Sequence, residues 1–424
     1  MPQSDMIPAP AEARLFPIAP NWDERVRASI EYKTDIITAG VGSEQRRAVR
    51  DNPRRVIEFT ALLGWQERIV ADYFMAGALP YPVVIPDPTR HIVLTEELVA
   101  PYQENPPDGP YTFEAAEYVS DTTTETPPAW LEVGDTVMVA TPYTGYQMEP
   151  RTIGGFSAND IFFSDEDGSA FPAYSTVHPV LFGHCRVEPR SVRYSNRVAS
   201  LPVTFEVIPG SEIFEPTAPG FTLDGLEVLE IKPNWASSPS MTYSFPREVI
   251  DYGYGRIGNH IPYDFPARIM KYEYLARDPG EVKYITDFFM RKRGRRNSFL
   301  VPTWEDDVPY QAIGGNGRQI VIADPTFGAI YTGSTVFRRI LLRMTDGRLL
   351  YFKIESITSL PETGSSVITT VERMPIEEIS PATLQGISWV LPVRFGSDRL
   401  DVDWVTGSSA QVALTFQTLE DLTI

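Results

Sequence analysis

Apolar and polar residues alternate through Ser29-Ile30-Glu31-Tyr32-Lys33-Thr34-Asp35-Ile36, the period of a half-buried β-strand. Gly40-Val41-Gly42 turns the chain, a charged stretch from Gln45 to Arg55 follows, and Arg55-Val56-Ile57-Glu58-Phe59-Thr60-Ala61-Leu62 returns as a second strand. The two predict a long hairpin with a polar tip. The period then changes. Apolar positions 69, 70, 73 and 74 fall on one helical face, with Gly64 before them and Gly77 as a glycine stop. The same course recurs later: a strand at Met241-Thr242-Tyr243-Ser244-Phe245, turns at Gly253, Gly255 and Gly258, a strand from Arg268 to Leu275, and a helix carrying apolar positions 282, 285, 288 and 289 between Pro279-Gly280 and Gly294. Short strand signals fill the remainder of each half: Thr136 to Val139 and Asp160 to Phe163, then Arg339 to Leu342, Leu349 to Ile354 and Ser366 to Val371.

Two such courses in one chain call for a search for an internal repeat. A shift of roughly 215 positions sets Asp72-Tyr73-Phe74-Met75 on Asp287-Phe288-Phe289-Met290 and, within a residue, Ile85-Pro86 on Val301-Pro302. Pro20-Asn21-Trp22 matches Pro233-Asn234-Trp235, Arg54 to Phe59 matches Arg268 to Tyr274, and Gly134 to Val137 matches Gly333 to Val336. Val192 to Val198 answers Val393 to Leu400. The expected fold class is therefore mainly β, as two tandem units with one packed helix each and small inserted β domains. The boundaries read from the sequence are an N-terminal arm at 1–19, lying on a neighbour, and a first unit at 20–208 with an insertion near 101–182. A linker at 209–232 leads to a second unit at 233–424 with an insertion near 325–385. The proline-rich stretch from Pro101 to Pro128 reads as a surface loop, and Tyr73, Phe74, Phe288 and Phe289 as the core of each helix.

Composition narrows the function. The chain has 424 residues, 42% hydrophobic, with a formal charge of −19, enough apolar content for real cores and an acidic surface that disfavours specific nucleic-acid binding. A lone cysteine, Cys185, allows no internal disulfide and suits a reducing cytoplasm. The first twenty residues lack the basic start and apolar core of a signal peptide, and no apolar run is long enough for a membrane span. His91, His178, His184 and His260 show no metal-ligand spacing, and Asp165-Glu166-Asp167-Gly168 lacks the closing glutamate of a calcium loop. No catalytic, cofactor or metal site is expected. Two arginine-rich runs read instead as assembly surfaces: Glu44, Arg46, Arg47, Arg54 and Arg55 around the first hairpin tip, and Arg291, Arg293 and Arg295 at the end of the second helix, where cations also suit the helix dipole. The second run reads as docking on an acidic neighbour ahead of touching passing DNA, with a plain solvated helix end as the alternative, and the first reads equally as an interface or an ordinary exposed turn.

Thr34-Asp35-Ile36-Ile37, Gly40-Val41-Gly42-Ser43-Glu44-Gln45-Arg46-Arg47, Asp51-Asn52-Pro53-Arg54-Arg55, Asp72-Tyr73-Phe74 and Ile85-Pro86-Asp87 resemble the distal tail proteins of long-tailed bacteriophages and gene transfer agents. The likeness is best over 30–90 and looser over 240–304. It departs in the second half, where Gly255-Arg256-Ile257-Gly258-Asn259-His260 replaces the Glu-Gln-Arg-Arg turn, and in carrying two units where the family usually has one. The resemblance implies tail-tube-like β-sandwich or split-barrel units, and a ring in the virion tail tip, assembled in the host cytoplasm. Its partners would be the tail tube protein, the baseplate hub and the tape-measure protein, with DNA passing through without specific binding. Duplication suits a homotrimer with pseudo-six-fold symmetry between a six-fold tube and a three-fold hub. Competing readings are the hub itself, a carbohydrate- or receptor-binding protein using Trp130, Trp304 and Trp389, and a hydrolase using Glu305, Asp306 and Asp307.

Overall fold

The computed structural model describes residues 14–420 except 17, 39–43, 79–81, 95–115, 120–131, 142–147, 158–159, 164–170, 187, 189, 210–215, 245–247, 256, 261–266, 315–316, 376, 378 and 381. The fold is mainly β. The first half contains β1 (Arg14–Leu15), β2 (Val26–Glu31), β3 (Thr34–Thr38), β4 (Glu44–Ala48), β5 (Arg54–Leu63), α1 (Trp65–Ala78), β6 (Val83–Pro86), β7 (Ile92–Leu94), β8 (Ala116–Val119), β9 (Thr136–Ala140), β10 (Met148–Ser157), β11 (Asp160–Phe163), β12 (Thr176–Cys185), β13 (Val192–Arg193) and β14 (Ala199–Val207). A short hairpin of β15 (Thr222–Leu223) and β16 (Leu226–Glu227) follows. The second half contains β17 (Ser240–Ser244), β18 (Glu248–Asp251), β19 (Ile257–His260), β20 (Ala267–Ala276), α2 (Pro279–Lys292), β21 (Phe299–Pro302), β22 (Tyr310–Gly314), β23 (Gln319–Ile322), α3 (Pro325–Tyr331), β24 (Arg339–Met344), β25 (Leu349–Leu360), β26 (Ser365–Thr370), β27 (Leu384–Phe395), β28 (Arg399–Trp404) and β29 (Ala410–Thr418).

Strand pairing follows one order in both halves. In the first, β2 pairs with β5, β5 with β14, β14 with both β12 and β13, and β12 with β6. In the second, β17 pairs with β20, β20 with β29, β29 with both β27 and β28, and β27 with β21. All these pairs are antiparallel. The halves are then joined edge to edge, because β2 also pairs with β28, from Val26 opposite Trp404 to Glu31 opposite Arg399. One continuous sheet therefore runs β17, β20, β29, β28, β2, β5, β14, β13.

α1 and α2 each lie against their own half of the sheet, but the second half has more than the one helix expected of it: α3 packs on β25 and β26. α2 starts where Asp278 accepts a hydrogen bond from the Glu281 N–H at 2.9 Å, with Pro279 in the first turn, a cap that stabilises by about 1 kcal/mol. It stops where Arg293 and Gly294 take positive φ, 53° and 61°, the left-handed turn that ends many helices. Its Phe288 and Phe289 sit among Phe299, Phe395 and Phe416, with ring centroids 5.0 Å apart for Phe288 and Phe299 and 4.6 Å for Phe299 and Phe395. In the first half Phe74 meets Phe16 edge-on at 5.2 Å.

Several expectations are corrected. The first hairpin is not one straight pair: the alternation from Ser29 to Ile36 breaks at Tyr32-Lys33, β2 pairs directly with β5, and β3 and β4 form a separate two-stranded tip. Gly40-Val41-Gly42 lies outside the described residues. Tyr73 is not core; it is 78% exposed, while Phe74, Phe288 and Phe289 are buried. The two helices begin at Trp65 and Pro279, which sets Phe74 on Phe288 and Tyr73 on Asp287. The Asp-x-Phe-Met identity match is thus one residue out of step with helix phase. Similarly, pairing sets β13 on the end of β28 rather than on Val393-Arg394. Each of these hairpins closes on a backbone bond, Tyr194 N–H to Val198 O and Val405 N–H to Ser409 O. Gly134 to Val137 leads into β9, whereas Gly333 to Val336 lies between α3 and β24 and enters no strand.

The described part of the arm lies on its own chain. Arg14 and Leu15 pair parallel with Val83 and Val84, and Phe16 and Ile18 are buried in the first half's core. Within the expected loop from Pro101 to Pro128, β8 forms a strand beside β7 and β11. The first-half insertion has a separate small core around Val137, Val139, Ile153 and Val177. The β22–β26 region of the second half joins the main core, where Phe327 stacks 6.1 Å from Trp389.

Candidate assembly surfaces

The arginine-rich residues fall into three settings. Arg55, on β5, is only 5% exposed and ion-pairs with the fully buried Asp87, Nη2 to Oδ2 at 2.7 Å, while also donating to Thr89 Oγ1 at 3.1 Å. Thr89 donates to the same carboxylate through its N–H at 2.9 Å and its hydroxyl at 2.6 Å. Burial pushes the Asp87 carboxyl up, but Arg55, Arg90 and Thr89 pull it down further, so its pKa is below the usual range. Arg55 is therefore not presented to a partner; it ties β5 to the turn after β6. Next to it, His178 binds the Asp87 carbonyl through Nδ1 at 2.9 Å and Thr176 Oγ1 through Nε2 at 2.9 Å. Burial, then the neighbouring His91, lower its pKa to about 4.

The second setting is the contact between halves. Glu44, on β4, takes a two-pronged hydrogen bond from Arg394 of β27, Nε at 2.7 Å and Nη2 at 2.9 Å, the geometry that makes arginine–carboxylate pairs strong. Arg46 donates to Ser298 Oγ at 2.9 Å, and burial lowers its pKa. Arg295 donates to the Thr34 carbonyl at 3.1 Å and pairs with Asp398 at 3.2 Å. Asp398 in turn accepts from the Thr34 N–H at 2.7 Å and its hydroxyl at 2.9 Å. The Tyr32 ring lies 6.0 Å from Phe289. The β3–β4 tip of the first half is thus laid across the end of α2 in the second.

Arg291 completes the picture. With Lys292 it grips Glu227 of β16, at 2.6 Å and 2.7 Å. Burial raises the Glu227 carboxyl, but the hydrogen bonds from Arg291 and Lys292 outweigh it, and its pKa is lowered. The acidic neighbour expected for this run is present within the chain. A cleft of about 510 Å³ between the turn into β5 and the end of α2 is lined by Tyr32, Asp51, Arg55, Glu227, Arg291 and Arg293. Arg47, Arg54 and Arg293 form the third setting, on the surface. Arg47 is exposed, Arg54 lies 3.6 Å from Glu206, and Arg293 lies 3.8 Å from Asp51.

The other candidate groups are placed differently from expectation. Trp304 and Trp389 are buried, at 3% and 1% exposure, so neither offers a face to a sugar; Trp130 lies outside the described residues. The three carboxylates after Trp304 are engaged differently. Asp306 pairs with Arg343, Asp307 accepts from the Trp389 N–H at 2.9 Å and from the Thr303 hydroxyl, and burial raises the pKa of both Glu305 and Asp307. Cys185 is half-buried, which raises its thiol. Among the described residues no cluster has the composition to hold a metal ion, and no helix is long and apolar enough to cross a membrane.

What the sequence reading missed is a set of bare surfaces. Trp65, Ile69 and Tyr73 form an exposed stripe along α1. β17 and the segment around β13 are exposed sheet edges, and Val249, Ile250, Tyr252, Tyr254 and Ile257 on or beside the β18–β19 hairpin are exposed as well. No model of a known protein family matches the chain, and no curated protein matches it.

Proposed function

We propose that this chain is a structural ring component of a phage tail tip. It would be built as two tandem copies of one tail-tube-like β-sandwich or split-barrel unit. Three molecules would form a trimer with pseudo-six-fold symmetry, joining the six-fold tail tube to the three-fold hub, with the tape-measure protein nearby and DNA passing through the centre.

The observation that carries the reading is the shared pairing order of the two halves together with their edge-to-edge joint through β2 and β28. Finer repeats support it. Asn21 donates its N–H to Thr60 O and caps a turn by accepting from Asp23 N–H; Asn234 does the same with Glu273 O and Ala236 N–H. Units that already join side by side within a chain are suited to continue around a ring, and three chains of two such units present six similar faces to a tube. The charge of −19 suits a channel that DNA traverses, since an acidic wall gives no counterion release to hold it. The test is native mass measurement and end-on electron microscopy of the purified assembly. Three chains displaying six similar lobes are expected, and six chains in the ring overturn the reading.

A further inference from the structure

We propose that β17 of one molecule pairs antiparallel with β13 of a second copy of this chain, head to tail, in the register that β2 and β28 hold inside the chain. This rests on reading the halves as copies, and it specifies the joint between chains.

The continuous sheet ends in two open edges, β17 at one side and β13 at the other. Each has a covered counterpart at the internal joint. β2 and β17 occupy the same place: Arg27 lies opposite Glu58 and Ser240 opposite Lys271, each two residues before the acceptor of the Asn21 or Asn234 N–H. β28 and β13 also correspond: Asp403 lies opposite Gln411 and Val192 opposite Ser200, each two residues before the residue whose N–H closes its hairpin. Where β2 and β28 meet, every second residue of β28 is buried and Val26, Ala28 and Ile30 of β2 are buried. On the open edges less is covered: Ser191 and Arg193, in the places of Val402 and Trp404, are exposed, as is Tyr243 in the place of Ile30, while Met241 in the place of Ala28 is half-buried. Four of the five residues of β17 are exposed, as are Val192 at 46%, Tyr194 at 66% and Tyr243 at 53%. An open strand edge bearing apolar side chains is a standing invitation to pairing, and a joint between two different edges of one chain is the head-to-tail kind that closes into rings.

Arg27 faces Asp403 across the internal joint, so the external joint places Ser240 opposite Val192, Met241 opposite Ser191 and Thr242 opposite Arg190. The tip moves with its strand. The β3–β4 tip reaches the end of α2 and Arg394; the β18–β19 tip, following β17, is carried over the end of α1 and His184 of the neighbouring molecule. That gives its exposed Val249, Ile250 and Ile257 a surface to cover.

The test is disulfide capture in the full chain. Directly opposed residues of antiparallel strands lie about 4.5–5.5 Å apart at Cα, within disulfide reach. Ser240→Cys and Val192→Cys are made singly and together, and Ser240→Cys with Arg190→Cys serves as the out-of-register control. All positions are exposed, and Cys185 is present in every variant as its own control. Under mild oxidation a mixture of the two single variants is expected to give a covalent dimer, and the double variant a covalent species three times the 47.6 kDa of one chain. The out-of-register pair is expected to yield about tenfold less. A three-chain ring by native mass that fails to cross-link at Ser240 and Val192, or cross-links as well through Arg190, overturns this joint and leaves the ring reading standing. Cross-linking in register into closed species of another size supports the joint and overturns the trimer. A chain that remains monomeric and uncaptured at all concentrations overturns both.

Discussion

Replacing Arg55 by Met isolates the buried pair that fastens β5 to the turn after β6. Asp87 is fully buried and receives the Arg55 guanidinium at 2.7 Å together with both Thr89 donors. Removing one member of a buried ion pair costs about 3–5 kcal/mol, since the remaining charge is stranded away from water. Here Thr89 still donates, and Arg90 lies 3.8 Å from the same carboxylate, so the low end, about 3 kcal/mol, is expected. Adding Asp87→Asn removes the stranded charge, and the double variant is expected to recover about 2 kcal/mol relative to the sum of the single changes. Urea unfolding followed by far-UV circular dichroism measures both quantities. Acid titration supplies a second readout. The folded Asp87 pKa is depressed, so its contribution is present above the unfolded value of about 3.9 and is lost as pH falls through the folded one; in Arg55→Met, acid unfolding is expected to begin at higher pH. A single variant within 1 kcal/mol of the parent, or a double variant showing simple additivity, refutes the pair as the fastening.

Two further outcomes follow from burial. His178 is held neutral, with its pKa lowered to about 4. Between the unfolded value of about 6.5 and the folded value, only the unfolded chain takes the proton, so stability is expected to fall by about 1.4 kcal/mol for each unit by which pH is lowered through that window and to be unaffected by this group above it; His178→Gln should flatten the slope measured by denaturation at stepped pH, and an unchanged slope contradicts the assignment. Phe288→Ala is expected to cost about 3–5 kcal/mol and Tyr73→Ala less than about 0.5 in the isolated molecule, and equal losses in thermal unfolding would mean that the two helices do not sit as described.

The sequence carried the elements better than their partnerships. Alternation and helical spacing located β5, β20 and both helices, because those signals come from burial of neighbouring residues and are local. Helix phase was lost because shared identities, Asp-x-Phe-Met, outweighed the count from each helix start, which sets the buried Ala71 and Phe74 on the buried Ile285 and Phe288. The joint of β2 with β28 left no sequence signal, since either strand's alternation is satisfied by any strand laid beside it. The charge runs were legible as charge and not as geometry: Arg55 and Arg291 bind carboxylates of their own chain, and only a three-dimensional arrangement distinguishes Glu227 of the molecule itself from an acidic partner. Trp304 and Trp389 illustrate the same limit, for a tryptophan in a small β domain reads as a binding face until its burial is known.

The strand that links the halves also sets a schedule for biosynthesis. Arg27 and its partner Asp403 are 376 residues apart, and at ribosomal rates of about 5–20 residues per second the wait between them is roughly 20–75 s. Throughout that interval one flank of β2 in the nascent polypeptide is open to any extended segment nearby, including that of another chain on the same message. Maturation therefore depends on a late arrival: any product truncated before Arg399 leaves the ribosome with an unsatisfied flank and a route to aggregation.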